Sequence, residues 1–164
     1  MANLSHLSEG EMKEILMLQE RLTLLDTQHK AKDSFMEYIR YIWPGFIEGD
    51  HHRIIAEKLT RVAKGELKRL IVNMPPRHTK SEFASIYFPS WVMGLNPDMK
   101  IMQTTHTADL SINFGRKVRN LMDSDEYSNI FPKVSLASDS KSAGKWQTSQ
   151  GGEYFAAGVG GAIA

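Results

Sequence analysis

Apolar residues return along the first part of the chain at intervals of three and four. Met12, Ile15, Leu16, Leu18, Leu22 and Leu25 follow a Ser8/Glu11 pair with capping-box spacing, which predicts a helix over about 9–27. Five acidic and two basic residues in that stretch supply a solvated face. Phe35, Tyr38, Ile39 and Ile42 form a second helical stripe that stops at Pro44-Gly45, where proline removes a donor and glycine turns the chain. Asp50 is a candidate N-cap for a third helix carrying Ile54, Ile55, Leu59 and Val62, with Gly65 placed to end it.

At Arg69 the period changes. Leu70-Ile71-Val72 is a short apolar run of the kind found in strands buried on both faces. A turn over 73–79 and a helix over about 80–93 follow, closed by Gly94. Residues 100–104 read as another strand, and Thr107 as the cap of a helix carrying Leu110, Phe114, Val118 and Leu121 on one side. Strand, turn, helix, strand, helix implies a parallel sheet with crossover connections. Residues 133–145, rich in Ser, Asp and Lys, read as an exposed loop, before 146–148 and 153–157 suggest two short strands joined by Gly151-Gly152.

Composition narrows the class without choosing a function. A chain of 164 residues, 41% hydrophobic and 24% charged, is globular and long enough to bury about 70% of its unfolded surface. Its net charge of +1 gives no argument for a nucleic-acid or membrane partner from bulk charge. With no cysteine there is no disulfide framework, thiol nucleophile or cysteine zinc site, which suits a reducing compartment. The start has no basic segment leading into an apolar one, and no run of about eighteen apolar residues occurs, so the expectation is a cytoplasmic protein with no membrane partner.

The chemistry is concentrated in Leu70-Ile-Val-Asn-Met-Pro-Pro-Arg-His-Thr-Lys-Ser81. A loop that wraps from a strand into a helix start aims backbone N–H groups and the positive end of the helix dipole at one point, where an anion can sit. In the pattern G-x-x-x-x-G-K-[ST] the lysine reaches the phosphates and the hydroxyl holds magnesium; Lys80 and Ser81 occupy those positions. Both glycines are missing, with Thr79 and Met74 in their places. Thr79 cannot take up glycine backbone angles cheaply, so a distorted cradle is expected, although Pro75 and Pro76 rigidify the loop. The plain alternative is a surface lysine beside a serine at a helix start.

The same run resembles the deviant Walker A segment of the large terminase subunit of tailed phages, in which a proline-arginine pair precedes Lys-Ser. Other pieces agree in order: His51-His52 with Ile54, Ile55 and Leu59 before the loop, Phe88-Pro89 and Trp91 after it, and Gly151-Gly152-Glu153-Tyr154 through Gly158-Val159-Gly160-Gly161 later. The likeness covers 46–164 and little of 1–45. It implies an α/β fold, a P-loop NTPase-type three-layer sandwich with a mainly parallel sheet, partial here. On this reading 46–164 is an incomplete ATPase domain and 1–45 a helical N-terminal region.

The resemblance further implies a DNA-packaging motor that couples ATP hydrolysis to moving double-stranded DNA into a procapsid. ATP and Mg²⁺ would be bound by Pro76, Arg77, His78, Thr79, Lys80 and Ser81. Lys80 and Arg77 would carry the chemistry, Lys80 on the phosphates and Arg77 near the γ-phosphate, where its planar fork of donors matches phosphate oxygens. Ser81 would be the metal ligand and His52 a candidate adenine contact. The bland readings are a solvent-exposed Arg77, a bystander His78 and a helix-capping histidine pair.

The implied partners are a portal protein, a small terminase subunit and further copies of the chain in a ring. The implied location is the host cytoplasm, transiently the procapsid portal. Between 51 and 80, eight basic and two acidic residues give a local +6 suited to nucleotide or DNA, while an ordinary solvated helix face explains Arg53, Lys58, Arg61 and Lys64 equally well. Arg116, Lys117 and Arg119 carry the same ambiguity.

Such an ATPase also needs an apolar strand ending in an acidic pair. No acidic residue after Ser81 has that setting, so truncation at Ala164 is expected, with hydrolysis and the family's nuclease chemistry absent from this chain. Another P-loop ATPase or kinase, or a non-catalytic interaction module, remains open on the sequence.

Overall fold

In the computed structural model, residues 8–139 and 142–159 are described. The first helix, α1 (Glu9–Asp33), starts where the capping box places it: Ser8 accepts from the Glu11 N–H and Glu11 accepts from the Ser8 N–H at 2.8 Å. It runs beyond the expected end at 27 because no breaker stands before Ser34, whose extended backbone separates it from α2 (Phe35–Ile42). Only Ala31 of α1 is buried, and Leu16, Leu18, Leu22 and Leu25 are exposed. Leucines at helical spacing therefore formed the helix without burying it.

The third helix, α3 (Asp50–Ala63), is capped by Gly49 rather than by Asp50, which becomes its first residue. Gly65 ends the segment at φ 74°, in the left-handed region glycine enters freely. After the turn at 76–79 a helical run comprises α4 (Lys80–Glu82), a π-helical segment (Phe83–Tyr87) and α5 (Phe88–Leu95). Gly94 lies inside this run instead of closing it. A Cβ there would sit 2.5 Å from the ring of Phe131, so the glycine permits close packing.

Strand β1 (Lys100–Thr105), α6 (Ala108–Met122), α7 (Asp125–Ile130), β2 (Lys145–Gln147) and β3 (Glu153–Gly158) complete the chain. Thr107 caps α6 as expected, its hydroxyl accepting from the Leu110 N–H at 3.3 Å. The buried face of α6 is Ser111, Gly115, Val118 and Met122; of the expected stripe Val118 is buried, Phe114 and Leu121 pack partly against the core, and Leu110 is exposed. β1 and β3 pair in parallel, Ile101 opposite Tyr154, and β2 adds antiparallel to β3 to give the order β1-β3-β2. The fold is α/β with a small mixed sheet, less purely parallel than anticipated because β2 returns directly through the Gly151-Gly152 turn.

Residues 70–72, expected as a buried strand, belong to no strand among the described residues, and Ile71 is 87% exposed. A run of apolar residues satisfies the strand pattern without securing a hydrogen-bonding neighbour. Residues 160–164, part of the glycine-rich stretch noted in the sequence, lie outside the described residues.

One core crosses the boundary drawn at 45. Phe35, Tyr38 and Ile39 of α2 pack with Phe83, Trp91 and Met93, and Trp91 Nε1 donates to Ala31 O at 2.9 Å. Buried hydroxyls are matched: Tyr38 OH and Ser90 Oγ bond at 2.7 Å, and Tyr127 OH donates to Ser90 O at 3.0 Å. Under the sheet, Trp146 stacks on Tyr154 with centroids 4.9 Å apart and donates to Gly115 O. Ser111 ties α6 to β3 by donating to Ala157 O at 2.6 Å.

Replacing Gly94 by valine is expected to lower stability by about 1–3 kcal/mol through overpacking against Phe131. Thermal denaturation checks this. A cost of only a few tenths of a kcal/mol, about that of an exposed helix position, would contradict the packing role of Gly94.

Candidate functional site

The site is built around the turn from Pro76 to Ser81. Pro75 and Pro76 set an extended approach, since proline fixes its own φ and biases the residue before it away from the helical region. Arg77 then takes φ 64° and Thr79 φ 57°, ψ 11°, both left-handed. Thr79 thus adopts the conformation at the very position where the phosphate-loop pattern has its second glycine. For a residue other than glycine this costs about 1–2 kcal/mol, and branching at Cβ adds crowding.

A left-handed residue followed by right-handed ones turns successive N–H groups toward one side, the geometry of an anion nest. The helical run begins at Lys80, and Thr79 O accepts from the Phe83 N–H at 3.0 Å. Lys80 is half-buried and Ser81 exposed. Neither their side chains nor that of Arg77 bonds or ion-pairs with any described residue. His78 turns back on the turn itself, its Nδ1 2.9 Å from Pro76 O.

The π-helical segment directly follows. Its first residue, Phe83, is fully buried and meets Phe35 edge-on at 5.7 Å. The same ring stacks on His52 at 5.1 Å, and Phe46 meets that histidine edge-on at 4.8 Å while lying 5.7 Å from Phe83, so the three rings form one cluster.

His52 is 6% exposed and both of its ring nitrogens are engaged. Nδ1 accepts from the Gly49 N–H at 2.9 Å and Nε2 lies 2.6 Å from Thr79 Oγ1. The ring nitrogens of this candidate adenine contact are thus both occupied within the fold. His51 instead lines a shallow, mainly apolar cavity beside the turn with Ile54, Leu70, Val72 and Met74. What the sequence did not give was the use of His52 as a brace. Its one local signal is the aromatic Phe46 ahead of a Gly-x-x-His cap.

Three of the eight cations between 51 and 80 are ion-paired. Arg53 bridges Glu48 and Asp50, Lys58 pairs with Glu57, and Arg61 reaches Glu57 and Glu66. This favours the solvated-face reading for three of the four helix cations; Lys64, Lys68 and Arg69 make no ion pair among the described residues, and neither do Lys80 and Arg77, the two that stand in the turn itself. Arg116 and Lys117 are exposed on α6. Among the described residues no group of three His, Asp or Glu side chains could hold a metal ion. No described helix is long and apolar enough to cross a membrane. No protein-family model, curated protein or solved structure matches the chain.

Burial holds the His52 pKa below its usual value of 6.5, helped by His51 and His78 and opposed by Glu48. The folded chain therefore takes up this proton less readily than the unfolded one. Stability from this group is complete above 6.5 and declines as the pH falls below it toward the lowered folded-state value. The thermal midpoint is expected to drop on acidification from about pH 7.5 to 5.5, with a shallower drop in His52→Gln. Equal slopes for the two proteins would contradict the assignment.

Proposed function

We propose that the turn at 76–81 grips the phosphates of ATP with Mg²⁺, as the nucleotide-binding part of a viral DNA-packaging motor of the large terminase kind. The observation that carries the phosphate reading is the left-handed Thr79 directly before Lys80-Ser81, the backbone that the missing glycine would have supplied. The unpaired Lys80 and Arg77 side chains support it, since a charge-assisted contact with phosphate is stronger than any neutral one available there. The parallel pairing of β1 with β3 across α6 and α7 supports an α/β nucleotide-binding architecture of the P-loop type.

In this reading Lys80 reaches the β and γ phosphates and the backbone N–H groups from Thr79 onward line their oxygens. Ser81 presents its hydroxyl to the metal, and Arg77 faces the γ-phosphate. Pro76 and His78 shape the turn. Mg²⁺ neutralises phosphate charge when bound. The motor assignment itself rests on the sequence resemblance. With it come double-stranded DNA as the load, a portal protein, a small terminase subunit and other copies of the chain as partners, and the host cytoplasm as the setting.

Lys80→Ala is expected to weaken MgATP binding about ten- to a hundredfold, matching a lost contact of about 1.5–3 kcal/mol, with folding unchanged. Calorimetric titration of a variant whose circular dichroism matches the parent checks this; undiminished affinity would make Lys80 a surface lysine. Arg77→Ala should cost affinity for ATP and spare ADP. Equal losses for both would move Arg77 to the inner phosphates.

The 164-residue chain, assayed as it stands, is expected to bind nucleotide without turnover above background, because no acidic residue after Ser81 ends an apolar strand. Phosphate release abolished by Lys80→Ala would overturn that expectation.

A further inference from the structure

Thr79 is an awkward residue for the place it holds. It stands left-handed at φ 57° and carries a branched Cβ, yet the turn keeps it there. The bonds around it form one directed chain. Because His52 Nδ1 accepts from the Gly49 N–H, that nitrogen is bare and the ring proton must sit on Nε2. Nε2 therefore donates to Thr79 Oγ1 at 2.6 Å, and the threonine hydroxyl passes its own proton on to His78 O at 2.7 Å.

The ring is fixed at the other end as well. It packs against both Phe46 and Phe83, which also touch each other, and the Gly49 N–H that orients it belongs to the cap of α3. From these contacts we propose that His52 is a positioning residue of the phosphate-gripping turn. Its neutral ring ties the start of α3 to Thr79 Oγ1 and holds that threonine in the conformation a glycine would adopt unaided. The hydroxyl and the histidine together replace the missing glycine. The functional consequence rests on the reading of the turn as a phosphate site, while the geometry stands without it.

The test is a double-mutant cycle on the full chain with MgATP as the probe. His52→Ala is expected to raise the Kd about tenfold in the parent and no more than about twofold when Thr79 is already glycine, since glycine needs no brace. Thr79→Val, which keeps the branch and removes the hydroxyl, should reproduce the His52→Ala loss and add little to it. A tenfold loss in the Thr79→Gly background, or full additivity of His52→Ala with Thr79→Val, would overturn the proposal.

A nucleotide-free readout separates the two claims. In ¹⁵N spectra the His52 ring should be the Nε2-protonated tautomer, and the Thr79 backbone shifts should leave their left-handed values in His52→Ala and in Thr79→Val. If the parent fails to bind MgATP while those shifts behave so, the phosphate reading fails and the positioning role stands. If Thr79 stays left-handed without His52, the positioning role fails whatever the affinity. Should His52→Ala not fold, the Thr79→Val and Thr79→Gly arms decide alone: a Thr79→Val backbone that remains left-handed overturns the proposal.

Discussion

Phe83 is where the helical core and the turn at 76–81 meet. Its ring is fully buried, meets Phe35 of α2 edge-on, lies against Phe46 at 5.7 Å, and stacks on the His52 imidazole. Burying an aromatic side chain of this size contributes about 1.5–3 kcal/mol, with a further ~0.5–1.5 kcal/mol from well-placed ring pairs. That energy is spent four residues past Thr79, at the point where the helix departs from the usual repeat. A strained turn persists only when its surroundings over-determine it, and the Phe83 cluster is that surrounding.

The consequence reaches into both halves of the chain. Through Phe35 the turn is coupled to the Trp91, Tyr38 and Ser90 network, and through His52 to the cap of α3. The helix that leads away from the turn and the helix that precedes it are thus held by one packed group. Arg77 and Ser81 are exposed and Lys80 half-buried, and their side chains bond to none of these groups. The work is divided between different side chains: buried aromatic and imidazole rings pack around the backbone of the turn, and the Arg77, Lys80 and Ser81 side chains stay unbonded beside it.

Much of this was legible in the sequence where a local rule decides the outcome. The Ser8/Glu11 box, the Pro44-Gly45 stop, the Thr107 cap and the Gly151-Gly152 return need only neighbours three or four residues away, and each lies where the pattern puts it. Gly94 was misread because a glycine near a helix end looks like a cap whether or not a ring presses on it. Residues 70–72 satisfied the apolar pattern of a strand, yet a strand needs a hydrogen-bonding neighbour that no local pattern can supply. At the turn the sequence identified Lys80, Ser81 and the missing glycine. The remedy for that glycine depends on a contact between residues 52 and 79, far apart in the chain, and was invisible to spacing.

The most direct measurement of the central claim is amide hydrogen exchange at residues 78–82 with and without ligand. If the turn is a phosphate cradle, MgATP and inorganic tripolyphosphate with Mg²⁺ both slow exchange there, because the same N–H groups bond phosphate oxygens, and adenosine alone does not. Unchanged exchange with either polyphosphate, or protection by adenosine alone, would contradict the account.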